Sequence, residues 1–162
     1  FVTPERALAH EDVDEVELFA AVASSGARAL LIGRRALVLL GLPVLTADYD
    51  FWVHPDYLSA FNAALAPFGL VPNRTPEQAK AVGRYVLENS EHIDVLVARE
   101  VRTVTGETAS FDDIWARRET VSLRPGIHAT IPNLDDLVLT KRFAARTKDL
   151  EDLRKARTAI PA

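Results

Sequence analysis

Apolar positions along the chain recur with two different periods, and the places where one period gives way to the other mark the predicted elements. From 13 to 25 they fall at Val13, Val16, Phe19, Ala20 and Ala23, a helical spacing, and Ser24-Ser25-Gly26 closes the run. An earlier helix start is read at Thr3-Pro4-Glu5. Residues 29–32, ALLI, make a short apolar run of strand length, although a run this short can also open a helix. Gly33 then marks a strand-to-helix junction, and 34–40 reads as a helix ending near Gly41. After Pro43 the period drops to two. The segment 47–53 sets Tyr49, Phe51 and Val53 on one face and Asp48 and Asp50 on the other.

His54-Pro55-Asp56 opens a helix over 57–68, with Leu58, Phe61, Leu65 and Phe68 on one side and Gly69 at its end. Residues 73–81 are polar and read as a loop or a single helical turn opened by Thr75-Pro76-Glu77. Strands are predicted at 83–88 and 92–97, joined by Asn89-Ser90-Glu91, which has hairpin composition. Asp94 lies in the second, on the face opposite Ile93, Val95 and Val97. A polar connection over 103–110 leads to a short helix, 111–118, and a strand pair, 120–123 and 127–131, around Pro125-Gly126. Asn133 is the N-cap of a helix running from Leu134 to about 146, with Asp135 and Asp136 where the helix dipole favours anions. A last helix is expected at 148–159. The order predicts an α/β (α+β) fold: a mixed sheet, flanking helices and a C-terminal helical extension. No repeat or linker divides the chain, so 1–162 is expected to be one domain, with a core of about 13–100 and the added strand pair and helices at about 111–159.

Composition narrows the class. With 162 residues, 48% hydrophobic and 26% charged, the chain can bury a core of its own. No apolar run approaches the roughly 20 residues of a membrane helix; 29–45 comes closest and is interrupted by Arg34 and Arg35. Absence of cysteine excludes disulfides, thiolate metal sites and a cysteine nucleophile, and suits a cytoplasmic location. The chain starts at Phe1 and contains no methionine, so its true N-terminus is expected to lie further upstream. A net charge of −4 argues against a generic nucleic-acid coat. It is unevenly spread: up to Asp50 eight acidic residues face four basic ones, whereas Lys141 to Arg157 carries seven basic against three acidic. That basic segment is either a solvated helix face with interleaved ion pairs or a surface toward a phosphate-rich ligand.

Asp48 and Asp50 side by side repel, and a cation or ample water must offset this. Asp94 adds a third carboxylate if its strand is a neighbour. The glycine at a strand-to-helix junction, the Asp-x-Asp strand, the later acid in His92-Ile93-Asp94-Val95-Leu96 and a lysine-bearing helix after them stand in the order found in the nucleotidyltransferase superfamily. The chain resembles its minimal bacterial members, related to abortive-infection and toxin–antitoxin nucleotidyltransferases, over roughly residues 28–155. Gly41-Leu42-Pro43, Thr46 and the late run with Lys141, Arg146, Lys148 and Asp149 belong to the same likeness.

The resemblance implies the fold of DNA polymerase β and of the antibiotic nucleotidyltransferases, and transfer of a nucleoside monophosphate from an NTP to a hydroxyl on a small molecule, a protein or an RNA end. Asp48, Asp50 and Asp94 would be the catalytic residues and the ligands of Mg²⁺ or Mn²⁺, with Asp94 helping to deprotonate the acceptor. Gly33, Arg34 and Lys141 would bind the nucleotide, and a cognate antitoxin or other partner protein is a further expectation. The sequence also departs from the pattern. Arg34 stands where a second small residue is expected, and either binds phosphate or blocks it; Val44 stands where related proteins often carry arginine. A degenerate member that binds nucleotide or a partner without turnover is therefore an alternative. So is a metal-dependent phosphohydrolase using His92 with the three acids. His10, His54 and His128 are isolated, and Ser24-Ser25 has no base near it in the sequence.

Overall fold

The computed structural model describes residues 14–44, 46 and 48–143. The helix start expected at Thr3, the helix over 148–159, and Arg146 and Lys148 lie outside them.

Helix α1 (Glu15–Ser24) begins at Asp14, whose carboxylate accepts the amides of Val16 and Glu17. Then follow β1 (Ala29–Ile32), α2 (Gly33–Leu39) and β2 (Tyr49–Val53). His54 caps a short 3₁₀ turn, Pro55–Tyr57, which runs into α3 (Leu58–Leu65). A further 3₁₀ turn ends at Gly69. After β3 (Val71–Pro72) comes α4 (Pro76–Val82), where Thr75 and Gln78 form a reciprocal capping box. That box turns the polar segment at 73–81 into a helix, although it has almost no apolar face. Strands β4 (Arg84–Glu88) and β5 (His92–Val97) form the expected hairpin.

The main sheet has the order β1-β2-β5-β4-β3. β1 is antiparallel to β2, β2 is parallel to β5, and β5 is antiparallel to β4. Beyond it lie β6 (Glu100–Arg102) paired with β7 (Thr108–Ser110), α5 (Phe111–Ala116), the hairpin of β8 (Glu119–Arg124) and β9 (Ile127–Ile131), α6 (Leu134–Thr140), and a 3₁₀ turn, Lys141–Phe143.

The two faces of the sheet have different work. Tyr49, Phe51, Val53, Ile93, Val95, Tyr85 and Leu87 alternate onto one face and are buried. Phe19 of α1 packs on Tyr49 and Phe51, Phe61 of α3 packs edge-on against Phe51, and the Tyr85 hydroxyl donates to Asn62. The other face carries Asp50 and Trp52 on β2 and His92, Asp94 and Leu96 on β5. Trp52 is fully buried under Phe111 and Phe143, and its indole N–H donates to the Ala98 carbonyl at 2.9 Å. The C-terminal elements thus cover the Trp52 end of this face and leave the Asp50 end open.

Candidate functional site

Convergence of the acids depends on one register. In the parallel pair β2–β5, Asp50 lies directly opposite Asp94, and on its other side it lies opposite Ile32 of β1. Neighbouring strands are about 4.8 Å apart, so two carboxylates on one face at adjacent positions repel unless a cation or water intervenes. Asp48 stands one residue before β2, not inside the strand expected at 47–53. Its amide donates to the Thr46 hydroxyl at 3.2 Å, and that hydroxyl donates to the Asp48 carbonyl at 3.3 Å. These local bonds occupy groups that a ladder would have used.

Arg35 braces the same point. Its Nε donates to the Asp48 carbonyl at 3.4 Å, its guanidinium lies 4.2 Å from the centre of the Tyr49 ring, and its Nη1 is 3.6 Å from Glu15 Oε1. Burial pushes the Tyr49 phenol up to about 12, against the opposing pull of Arg35.

Gly33 is required here on two counts. Its φ is +72°, and a Cβ built on it would stand 2.6 Å from Asp50 Oδ2. Only a residue with no side chain lets the β1–α2 junction approach that carboxylate so closely.

Gly33, Arg34, Asp48, Asp50, Asp94 and Lys141 all line one cleft, open to solvent. Ile32, Thr46, Phe51, Arg84, Leu96, Thr140 and Phe143 complete its wall. Three carboxylates therefore face three cations, Arg34, Arg84 and Lys141. Lys141 does not lie on the solvated face of a long helix. The α-helix stops at Thr140, whose hydroxyl donates back to the Leu137 carbonyl, and Lys141 sits in the following 3₁₀ turn, 6% exposed. Phe143, the last residue of that turn, packs edge-on against Trp52. Val44 is buried in the core and takes no part in the cleft wall.

His92 is half exposed, with Nε2 3.3 Å from Asp94 Oδ1 and Nδ1 3.9 Å from Glu88 Oε2. It lies beyond the cleft wall. Two contributors escaped the sequence reading. Arg35 entered it only as a break in the apolar run at 29–45 and as part of the helix over 34–40, and Arg84 only as part of the strand over 83–88. Arg84 was nonetheless traceable: the turn at 89–91 pairs Glu88 with His92, and counting back sets Val86 opposite Asp94 and Arg84 opposite Leu96.

The donor set suits a hard divalent cation, since it is all carboxylate oxygen with no sulfur. Among the described residues no three His, Cys, Asp or Glu side chains converge closely enough to enclose an ion unaided. Mg²⁺ usually takes one or two carboxylates and completes its octahedron with water and substrate phosphate.

No family model matches the chain, and no curated protein matches its sequence. Solved structures do match in fold. The lincosamide antibiotic adenylyltransferase LnuA, crystallised with lincomycin, aligns with a TM-score of 0.61 over 92% of this chain and 99% of its own, at 12% identity. The antibiotic-resistance factor ANT(2'')-Ia, solved in solution, gives 0.60 over 98% and 85% at 13% identity. The candidate nucleotidyltransferase TM1012 from Thermotoga maritima gives 0.58 over 99% and 97% at 14% identity. The chain has the nucleotidyltransferase fold, with a five-stranded mixed sheet flanked by helices. Among the described residues no helix is long and apolar enough to cross a membrane.

Proposed function

We propose that the protein transfers a nucleoside monophosphate from an NTP to a hydroxyl acceptor, with Mg²⁺ or Mn²⁺ held by Asp50 and Asp94 and assisted by Asp48. The observation that carries this reading is the register that sets Asp50 opposite Asp94 on the open end of the sheet, beside the Gly33 junction. Bound there, the divalent ion would supply charge neutralisation for the triphosphate. The protein's own residues do the rest. Arg34 and Lys141 hold the phosphates, and the glycine at position 33 lets them approach the Asp50 carboxylate. The acceptor oxygen forms a bond to the α-phosphorus, pyrophosphate departs with the electrons of the broken P–O bond, and the hydroxyl proton goes to Asp94. Most of the catalysis in such a transfer is positioning and electrostatic stabilisation, which a rigid sheet bearing fixed charges provides. A small-molecule acceptor is supported by two of the fold neighbours, LnuA with lincomycin and ANT(2'')-Ia with adenylyl-2''-tobramycin.

Incubation with α-labelled NTPs, Mg²⁺ and a panel of hydroxyl compounds, proteins and RNA ends should label an acceptor, and Asp50→Asn should reduce transfer at least about a hundredfold. Equal labelling by that variant would remove the mechanism. Arg34 in the cleft wall favours a second reading, nucleotide binding without turnover. Calorimetry distinguishes it: NTP binding indifferent to Mg²⁺, with no product formed, supports the second reading and not the first.

A further inference from the structure

Arg84 lies across the acids from Gly33. The strand order β1-β2-β5-β4 sets Gly33 and Arg34 at the end of β1, then Asp50, then Asp94, then the strand that carries Arg84. Arg84 is opposite Leu96, two positions along from Asp94, and so shares the face of both acids. Arg84 and Leu96 line the cleft, whereas Glu88 and His92, at the other end of the same strands, do not. At about 4.8 Å per strand, β4 stands roughly 10 Å from β2, on the side away from the β1 junction.

Two features set this position apart from the other described arginines. No described carboxylate pairs with the Arg84 guanidinium, although Arg99, Arg117 and Arg142 each hold one, on Asp56, Asp136 and Glu107. Arg74, also without a carboxylate partner among the described residues, donates from Nη1 to the Arg84 carbonyl at 2.6 Å. β3 pairs only with Leu87 and Glu88, so it has ended before Arg84, and Arg74 supplies the donor that a longer strand would have given. A second guanidinium thereby fixes the backbone that presents the first and adds positive potential beside it.

We propose that Arg84 is the acceptor-side anion subsite. The hydroxyl compound that receives the nucleotidyl group carries an oxyanion, a phosphate monoester or a carboxylate, which Arg84 binds while the hydroxyl faces Asp94. This rests on the nucleotidyl-transfer reading. In-line displacement puts the incoming oxygen opposite the departing pyrophosphate. With the donor phosphates at Gly33 and Arg34 and the acids between, the acceptor enters from β4. The planar guanidinium fork matches either oxyanion.

Protein saturated with Mg²⁺ and a non-hydrolysable ATP analogue is titrated with glucose, glucose 6-phosphate and gluconate, followed by amide chemical shifts. At least one charged probe should bind tenfold or more tightly than glucose and shift the amides around Arg74 and Arg84; which one does so separates phosphate from carboxylate acceptors. Arg84→Gln should remove that preference and Arg84→Lys should keep part of it, both leaving analogue affinity within twofold. Equal binding of charged and neutral probes would overturn the inference and leave nucleotidyl transfer standing. Loss of analogue affinity in Arg84→Gln would also overturn it, by moving Arg84 to the donor triphosphate. If wild-type protein fails to bind the analogue, the nucleotidyl reading falls; charged-probe binding at Arg84 without nucleotide would then mark an anion site of other purpose, which ends the acceptor role.

Discussion

Alanine at position 33 meets two obstacles, and the structure allows them to be measured apart. The first is backbone conformation: with φ at +72° the residue is left-handed, which costs an L-residue about 1–2 kcal/mol. The second is space. The added Cβ would lie 2.6 Å from Asp50 Oδ2 and 3.1 Å from both Cβ and Cγ of Asp50, so the strand, the junction or the carboxylate must move. Forced overpacking of this kind costs about 1–3 kcal/mol. Gly33→Ala should therefore lose about 2–5 kcal/mol, the two costs together. Gly41 provides the control, with φ at +90° and nothing within 4 Å of a built Cβ. Gly41→Ala should lose only the conformational part, about 1–2 kcal/mol.

Equilibrium urea denaturation of both variants gives the difference directly, provided the m-values agree. A double-mutant cycle sharpens it. Asp50→Ala removes the 2.6 Å contact and leaves only the Cβ at 3.1 Å, so Gly33→Ala in that background should cost at least about 1 kcal/mol less than in the wild type. Mg²⁺-dependent NTP binding should be lost in Gly33→Ala and kept in Gly41→Ala, because only the first displaces the Asp50 carboxylate from its place beside Asp94. Losses in the two glycine variants within about 0.5 kcal/mol of each other, or a cycle additive to that margin, would refute the close-approach argument.

Arg35→Ala should weaken Mg²⁺–NTP binding severalfold by releasing the Asp48 carbonyl and Glu15, measured by calorimetry, while the lost contact over Tyr49 costs only about 0.5–1 kcal/mol of stability. Because burial raises the Tyr49 phenol from 10.0 to about 12, the folded state keeps a proton that the unfolded chain loses; this contribution to stability is full below pH 10 and falls as pH rises toward 12, readable as a declining urea midpoint in wild type that becomes shallower in Tyr49→Phe, where the buried Tyr85 phenol, raised in the same direction, keeps the remainder. Arg117 clasps Asp136 through Nε at 3.0 Å and Nη2 at 3.1 Å, and Asp136 is buried while Arg117 is half in solvent. Arg117→Ala should therefore lower Tm by several degrees, and by more than Asp136→Ala, since only the first strands a buried carboxylate.

How much of this was legible in the sequence followed from the kind of signal each element carried. β5 was read to the residue because Ile93, Val95 and Val97 alternate strictly with polar neighbours and Asn89-Ser90-Glu91 bounds them. The Asn133 cap was read because it is a local side-chain bond, to the Asp136 amide at 2.8 Å. The pairing of β6 with β7 was missed because each strand holds three residues with one interior apolar side chain, Val101 or Ala109, too few to show a period. Asp48 was put inside β2 because alternation runs through it, whereas the Thr46 hydroxyl ends the strand from outside the pattern.

The cleft shows the same division between local and long-range information. Asp50 and Asp94 were visible as acids on strand faces that had to be polar, since their neighbours had to be buried. Their meeting required β2 and β5 to be adjacent and parallel, with a register that no periodicity specifies; only the family likeness supplied it. Lys141 sits in a run of basic residues that reads as a helix face. In the structure it is buried in a 3₁₀ turn whose last residue, Phe143, packs on Trp52, a contact across 91 positions, 143 minus 52, that no local pattern shows. Arg84 is the instructive intermediate. Its partner positions follow by arithmetic from the hairpin turn, so its face was fixed once Asp94 was taken as a site residue. The inference was available one step beyond the motif, because a motif names the residues of one chemistry and a register also names their neighbours.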